Sequence, residues 1–284
     1  MKFMSKSVYR IITLLTLAFL VFIFSSKKVE AFESGTGVDS DPYVITTCTH
    51  LQEIQNDPTA YYVLAQDIDC SDTINWNEGS GFQPIGGGQD FWGVLDGMYF
   101  TIYDLYINRP TESGVGLFNT VEGGIVGGLN IERAYINGSH NVGVVAGRSS
   151  EGEYYDIHVK DSVVIGDLIG NDMVGRIGGL VGVSEDNIIF EYCSFEGTIS
   201  GHASLGGLLG HSVGGVSISD SYNEGIVKGN YYTGGLLGSM EEEVGEATLS
   251  IYDSYNTGEI EGKYASGGMI GNSNNNTILE NTYN

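Results

Sequence analysis

The hydrophobic positions of the chain fall into short runs, and one of these runs recurs along the sequence. Its form is two glycines, two large apolar residues and a third glycine. Strict copies begin at Gly178, Gly206, Gly234 and Gly267, and looser copies occupy residues 115–119 and 143–147. The copies end at residues 119, 147, 182, 210, 238 and 271, so the phrase returns after 28 to 35 residues. Recurrence at a near-constant step is typical of a stacked repeat architecture.

Between copies of this phrase, each unit divides into three short β-like runs separated by glycine or asparagine. Residues 216–229 match residues 249–262 without a gap, and residues 188–201 form a third copy in which Phe190 aligns with Ile218. No run is long enough, or has enough 3.6-residue periodicity, to predict a helix.

Three strands in about 28 residues predict one coil of a parallel β-helix, so the expected fold class is an all-β solenoid. Equivalent side chains should then stack into ladders, as for Leu180, Leu208, Leu236 and Met269. Neighbouring strand residues point to opposite faces, so two adjacent large apolar residues indicate a bend or bulge at the glycine pair. The 43 glycines are expected at corners, where the chain turns with positive φ or packs closely.

The repeats occupy residues 115–284, and residues 32–114 are interpreted as an N-terminal cap with the first coils. A short helical segment is predicted at residues 47–55, where Leu51 and Ile54 are apolar three positions apart and an Asp-Pro pair follows. Strands are predicted at residues 42–46, 61–68, 100–102 and 105–107.

The chain has three cysteines, and two of them bracket one compact unit. Cys48 follows the first predicted strand and Cys70 ends the second, which predicts a Cys48–Cys70 disulfide in an exported protein. Cys193 stands where later repeats carry Ser221 and Ser254. It is interpreted as a small buried residue in a stacked column, and the alternative is a free reactive thiol.

Residues 1–31 have the organisation of a secretory signal peptide. Lys2, Lys6 and Arg10 precede an apolar run at residues 11–24, and Val29-Glu30-Ala31 is a suitable cleavage site. The alternative is an uncleaved signal anchor, although a run of 14 residues is short for a span of about 20. The expected location is therefore outside the cell or on its surface.

The charge balance is strongly acidic. The formal net charge is −24, and it becomes −28 without residues 1–31, which hold five of the 12 basic residues and one of the 36 acidic residues. Such a charge disfavours nucleic acid and anionic membranes as partners, because both are polyanions.

At the level of motifs, the chain resembles the GLUG repeat family of exported bacterial and archaeal proteins. The resemblance covers about residues 39–284 and includes the recurring Gly-Gly-Leu-apolar-Gly phrase. Leader segments that also match are Asp41-Pro42-Tyr43-Val44-Ile45, Leu51, Tyr62-Val63-Leu64, Asp67-Ile68-Asp69, Pro84-Ile85-Gly86, Leu95-Asp96-Gly97 and Gly116-Leu117-Phe118. The resemblance implies a right-handed β-helix on or outside the cell.

GLUG repeats occur in large surface proteins, which include adhesins and some IgA-specific metallopeptidases. In those peptidases the chemistry lies in a separate zinc domain. This chain contains no His-Glu-x-x-His motif, so the resemblance does not extend to protease activity. Cys-x-x-Cys is also absent.

Other β-helices act on polysaccharides through clustered carboxylates and a basic residue. The candidates here are Asp67 and Asp69, with Arg133, Arg148 or Arg176 as a basic partner if the fold gathers them. The simpler interpretation is that both aspartates cap turns of the first coil. A polysaccharide lyase or hydrolase therefore remains the alternative to a protein without catalytic residues.

No cofactor is expected, although calcium is an open alternative. Oxygen ligands are concentrated at residues 69–72 and in Glu241-Glu242-Glu243, but neither segment matches an EF-hand or a glycine-aspartate repeat. Solvated acidic loops are the other interpretation.

The 18 tyrosines have two interpretations. They can form a face that binds sugar rings, or Tyr222, Tyr255 and Tyr283 can stack as a ladder. The sequence thus favours a secreted or cell-surface, adhesin-like β-solenoid with a binding or structural role. The expected partner is an extracellular glycan or a protein of a host or neighbouring cell surface.

The last residues match the middle of a repeat. Residues 281–284 align with residues 253–256, after which the earlier copy continues to Gly262 and completes its coil. An open coil would expose apolar core and strand edges, so further repeats or a cap are expected beyond Asn284.

Overall fold

The computed structural model describes residues 32–166, 175–241, 247–274 and 276–284. The predicted signal peptide lies outside these residues, as do Glu242 and Glu243. None of the described helices has the length and apolarity needed to cross a membrane.

Strands dominate the described chain, and the one α-helix among its described residues is α1 (Cys48–Glu53), followed by a 3₁₀ turn at Ile54–Asn56. Two further 3₁₀ turns cover Ser71–Asn75 and Asn77–Gly79. The strands of the N-terminal half are β1 (Tyr43–Ile45), β2 (Tyr61–Leu64), β3 (Ile68–Asp69), β4 (Val94–Asp96), β5 (Thr101–Tyr103), β6 (Tyr106–Asn108), β7 (Phe118–Glu122), β8 (Ile125–Glu132), β9 (Tyr135–Asn137), β10 (Ala146–Ser150) and β11 (Glu153–Ile165).

The strands of the C-terminal half repeat more regularly. They are β12 (Ile177–Gly178), β13 (Val181–Ser184), β14 (Ile188–Glu191), β15 (Ser194–Ser200), β16 (Ala203–Gly206), β17 (Leu209–Ser212), β18 (Val216–Ser219), β19 (Tyr222–Asn223), β20 (Ile226–Lys228), β21 (Tyr231–Gly234), β22 (Leu237–Met240), β23 (Thr248–Tyr252), β24 (Tyr255–Asn256), β25 (Ile260–Glu261), β26 (Tyr264–Gly267), β27 (Ile270–Ser273) and β28 (Asn276–Glu280).

These strands form three parallel sheets, which confirms the predicted parallel β-helix. The broad sheet contains 18 of the described strands, from β1 to β28. A six-stranded sheet has the order β27-β22-β17-β13-β10-β7, and a four-stranded sheet has the order β12-β16-β21-β26. Each strand pairs with its equivalent in the next coil, as Ile218 does with Phe190 on one side and Ile251 on the other.

The recurring glycine phrase forms an arch between the two smaller sheets. In one arch, β16 ends at Gly206, the chain bends, and β17 begins at Leu209. Both Leu208 and Leu209 are fully buried, so the predicted bend that buries two adjacent apolar residues is confirmed. The arches stack in the predicted register, because Leu208 N donates to Leu236 O at 3.0 Å.

Close packing, not positive φ, explains the glycines of the arch. A Cβ on Gly207 would lie 2.2 Å from the carbonyl oxygen of Gly235. A Cβ on Gly238 would lie 2.5 Å from the backbone nitrogen of Leu205, in the strand that faces it. Positive φ occurs instead at a corner of the broad sheet, where Asp220 (φ 47°) and Asp253 (φ 45°) are in equivalent positions.

Polar ladders accompany the apolar core. The rings of Tyr222, Tyr255 and Tyr283 stack with centroids 4.9 Å apart, which confirms the predicted tyrosine ladder. Beside them, the buried amide of Asn223 donates to Asn256 Oδ1 at 2.7 Å. Equivalent amides satisfy one another, which removes the cost of burying polar groups.

The small buried column around Cys193 is also confirmed. The backbone nitrogen of Cys193 donates to Ser221 Oγ at 2.9 Å, and Ser221 N donates to Ser254 Oγ at 3.1 Å. Burial raises the pKa of the Cys193 thiol to about 12, which suppresses the thiolate on which cysteine reactivity depends.

We expect Gly207→Ala to destabilise the fold by about 2 kcal/mol, because the new methyl group overlaps a neighbouring carbonyl. Gly88→Ala is the control, since a Cβ there meets nothing within 4 Å. The free energies of urea unfolding of both variants test this expectation. Equal stability of the two would contradict the packing role of the arch glycines.

His211 lies inside the arch region and should make stability depend on pH. It is 7% exposed, pairs through Nδ1 with Ser239 Oγ at 2.8 Å, and has its pKa lowered to about 4 by burial and then by Arg176. Above pH 6.5 the ring is neutral in both states, whereas between pH 6.5 and about 4 only the unfolded chain takes up the proton.

Lowering the pH across that window should therefore reduce stability by up to about 3 kcal/mol. Thermal unfolding between pH 7 and 4 should show a shallower decline for His211→Gln than for the unaltered protein. The control is His202→Gln, at a half-buried histidine. Parallel curves for the unaltered protein and His211→Gln would show that this histidine does not contribute.

Candidate functional site: an amide-lined groove

Of the acidic candidates from the sequence, Asp69 caps a local turn, whereas Asp67 bonds to the backbone of the next coil. Asp67 Oδ1 accepts a hydrogen bond from Thr101 N at 2.8 Å, and Asp69 Oδ1 accepts one from Ser71 N at 2.8 Å. Hydrogen bonds from Ser71 lower the pKa of Asp69, with Arg133 as a smaller cause. The contact of Asp69 corresponds to the capping interpretation, whereas the contact of Asp67 joins two coils.

Of the arginine candidates, Arg133 lies near enough to Asp69 to lower the pKa of its carboxyl group, but its hydrogen bonds go to other residues. Arg133 donates to both carboxylate oxygens of Asp104, at 2.9 and 2.8 Å. Arg148 donates to Ser113 Oγ at 3.1 Å, and Arg176 lies near His211 in the arch region.

The calcium candidates remain predictions. The loop at residues 69–72 is described, whereas the acidic run at 241–243 lies mostly outside the described residues. Across the part of the chain that the structure describes, no group of three or more His, Cys, Asp or Glu side chains is placed to hold a metal ion.

One concave feature is a groove at the N-terminal end, which we call the amide groove. It comprises two adjoining cavities of about 520 and 540 Å³, which share Gln55 and Gln83. Cavities of this size are typical of small-molecule sites. The lining residues are Gln52, Gln55, Asn56, Trp76, Asn77, Gln83, Pro84, Gly86, Gly87, Gly88 and Gln89.

One wall of the amide groove is α1 with its following 3₁₀ turn. Thr47 caps the helix by accepting from His50 N at 3.1 Å, and the buried Leu51 holds the helix on the core. On the exposed side, the Gln52 amide both donates to Gln83 O and accepts from Gln83 N, each at 2.9 Å. This pair of bonds fixes the opposite strand-like segment against the helix and leaves Gln55 exposed.

Trp76 forms the other wall. Its indole stacks on the fully buried ring of Phe82, with centroids 6.2 Å apart and planes 21° apart, and it stays half-exposed towards the groove. Asn77 follows with φ 51° and donates to Gly81 O at 2.7 Å, and Glu78 has φ 58°. Consecutive non-glycine residues with positive φ are strained and occur where the surrounding structure holds them.

The disulfide predicted from the sequence joins these two walls. Cys48 is the first residue of α1, and Cys70 directly precedes the 3₁₀ turn that leads to Trp76. Their Cα atoms are 5.3 Å apart. The bond therefore holds the helix that carries Gln52 and Gln55 at a fixed distance from the tryptophan.

The amide groove is uncharged, which is unusual for this chain. None of its lining residues is Asp, Glu, Lys or Arg, although the protein has 36 acidic residues. Amide side chains offer both donors and acceptors, and an indole face offers an apolar platform. This combination can bind a neutral ligand that is rich in hydroxyl groups.

The sequence interpretation missed this groove. The sequence candidates were charged or nucleophilic residues, whereas three separate segments line the groove with amides, one tryptophan, one proline and three glycines. The available signal was the concentration of glutamines at positions 52, 55, 83 and 89 in the non-repeating part of the chain.

Comparison with known proteins supports the fold. No family model matches the chain. It is 37% identical over 169 residues to halomucin from Haloquadratum walsbyi, which covers 56% of this chain and 2% of halomucin. It is 33% identical over 109 residues to a "Putative Gly-rich membrane protein" from Evansella cellulosilytica, which covers 37% of this chain and 12% of that protein.

The chain thus spans a small part of the length of both relatives. Among solved structures, it resembles a "putative immunoglobulin A1 protease" from Bacteroides ovatus with a TM-score of 0.70 and 20% identity. That likeness covers 89% of this chain and 78% of the other, and at this identity it supports the β-helix fold alone.

We expect the Cys48–Cys70 bond to stabilise both the fold and the groove. Replacing both cysteines by serine should cost about 3 kcal/mol and expose Trp76, whose emission is isolated in a Trp92→Phe background. Unfolding free energy and the emission maximum measure the two effects. Cys193→Ser is the control, because serine already occupies the neighbouring positions of that column, and an equal loss in this control would contradict the expectation.

Proposed function

We propose that this protein acts outside the cell or on its surface as a non-catalytic β-helix module that binds a neutral glycan in the amide groove. The observation that carries the proposal is an uncharged, amide-lined concavity with a half-exposed tryptophan on an otherwise acidic chain. A sugar presents hydroxyl groups to amides and a C–H face to an indole, so its chemistry matches both parts of this lining.

The location outside the cell rests on independent support. Disulfides persist mainly in oxidising compartments, and the chain forms one between Cys48 and Cys70. The relatives are named as a halomucin and a Gly-rich membrane protein. The resemblance to GLUG repeats of exported proteins agrees with the same location.

The binding role is favoured over an enzymatic role by the positions of the acidic candidates. In glycoside hydrolysis, two carboxyl groups face each other across the bond to be cleaved. Here Asp67 and Asp69 are engaged with backbone amides. Neither aspartate lines the amide groove.

Binding to an array of neutral and uronate-containing oligosaccharides tests the proposal. We expect neutral members to bind, and we expect both Trp76→Ala and Gln55→Glu to weaken binding about tenfold, which corresponds to about 1.4 kcal/mol. Gln55 is exposed and makes no hydrogen bond that holds the fold, so its variant tests the groove without unfolding it.

The matched controls are Trp92→Ala, at an exposed tryptophan outside the groove, and Gln66→Glu, at an exposed glutamine outside it. Binding that survives both groove variants, or that prefers uronates, would contradict the proposal. Turnover of any bound oligosaccharide that disappears in Asp67→Asn would instead favour the polysaccharide-active alternative.

A further inference from the structure

A second surface lies on the outer side of the broad sheet, away from the amide groove residues. We call it the aromatic–acidic face and define it by Tyr61, Trp92, Asp96, Tyr99, Tyr155 and Asp156. Trp92 is 57% exposed and Tyr99 is 67% exposed. Exposed aromatic residues that lie together on one face of a soluble protein commonly mark an interaction site.

Strand register brings these residues together from four successive coils. Tyr61 pairs with Val94, and Val94 pairs with Ile125, so these three side chains form one outward column. Two residues further along the strands, Asp96 and Tyr155 both pair with Gly127 and form the next outward column. The face therefore extends roughly 15 Å along the solenoid.

A glycine makes room for one of the rings. A Cβ on Gly127 would lie 2.2 Å from the Tyr155 ring, so this ring can lie over the sheet only because the residue is glycine. The indole of Trp92 lies beside Gly123, 3.6 Å from where a Cβ would be, which is an ordinary van der Waals distance. The ring of Tyr155 is thus a positioned platform, and Trp92 lies exposed on the same face.

The carboxylates lie beside the rings. Tyr99 donates its hydroxyl to Asp156 Oδ2 at 3.2 Å, and Asp96 Oδ1 accepts from Met98 N at 2.8 Å in the turn that carries Tyr99. Coulombic repulsion by Asp156 raises the pKa of Tyr99. Burial, followed by Asp96 and Asp156, raises the pKa of Tyr155. Both rings therefore lie in a negative potential.

Elsewhere on the same sheet, a tyrosine ring and a carboxylate together bind one guanidinium group of the protein itself. Arg133 lies 4.9 Å from the centroid of the Tyr103 ring and is clamped by Asp104. Glu132 adds a contact at 3.5 Å. An aromatic ring flanked by carboxylates is a general arrangement for binding a cation.

On the aromatic–acidic face this arrangement has no internal cation. The ion pairs between described residues join Arg109 to Glu112, Arg133 to Asp104 and Glu132, and Lys228 to Glu261. None of them involves Asp96 or Asp156. The rings and carboxylates of the face are thus available to a cation from another molecule.

We propose that the aromatic–acidic face docks an arginine-containing basic segment of another protein. Guanidinium groups would stack on Tyr99 and Tyr155 and pair with Asp96 and Asp156, as Arg133 does with Tyr103 and Asp104. The apolar column of Tyr61, Val94 and Ile125 extends the surface beyond the size of one cation. That extension selects a peptide segment with apolar side chains over a small free amine.

The test uses a short fluorescent peptide with arginines spaced among apolar residues, and a twin with glutamine in place of each arginine. Fluorescence anisotropy should show binding of the arginine peptide to the purified protein, and the binding should weaken as salt is raised. Asp156→Asn and Asp96→Asn should each weaken it about fivefold. Asparagine keeps the acceptor oxygen that Asp96 provides to its turn.

Asp220→Asn is the matched control, because Asp220 occupies the corner equivalent to Asp156 two coils further along and also has positive φ. This substitution removes the same charge from the same sheet. The Asp220→Asn variant should therefore bind the arginine peptide as tightly as the unaltered protein does. Equal binding of the glutamine twin, equal loss in Asp220→Asn, or full binding by both Asp96→Asn and Asp156→Asn would overturn the proposal. Free arginine amide that binds as tightly as the peptide would overturn the docking of a protein segment.

Discussion

Parallel pairing of every strand with its equivalent in the next coil is the constraint on which this structure depends. It places equivalent side chains above one another at about 4.8 Å. The side chain at each position must therefore pack against the equivalent side chains of the two adjacent coils. Leucines stack on leucines in the arch, tyrosines on tyrosines at the surface and asparagine amides on amides in the interior. The arch glycines allow this stacking, because their backbones approach neighbouring carbonyls more closely than any side chain permits.

The fold of the repeated part could be predicted because each copy has the same pattern of apolar, polar and glycine positions. The gapless match of residues 216–229 to 249–262 is the observed strand register, and the tyrosine ladder follows from it. One expectation needed refinement. The arch glycines were expected either to turn with positive φ or to pack closely. The structure shows that close packing requires glycine at these positions. Positive φ occurs instead at residues such as Asp220 and Asp253.

The two proposed surfaces could not be predicted in the same way. The amide groove is assembled from α1, the segment around Trp76 and the segment around Gln83, which share no repeat and no motif. Only the Cys48–Cys70 pair indicated that α1 lies next to the segment around Trp76. The outward column of Tyr61, Val94 and Ile125 depends on strand register in coils of irregular length, where no copy could be aligned with another. Alternation alone gives the faces of each strand but not which strands lie side by side.

Both proposed surfaces lie before residue 157, whereas the strict copies of the glycine phrase begin at Gly178. Duplication or deletion of one unit among the regular repeats would keep every column in register, because each coil presents the same edge to the next. Such an event would lengthen or shorten the molecule by one coil, about 4.8 Å, without altering the groove or the aromatic–acidic face. An array of such repeats can therefore change its length by whole coils while the residues that precede it stay the same.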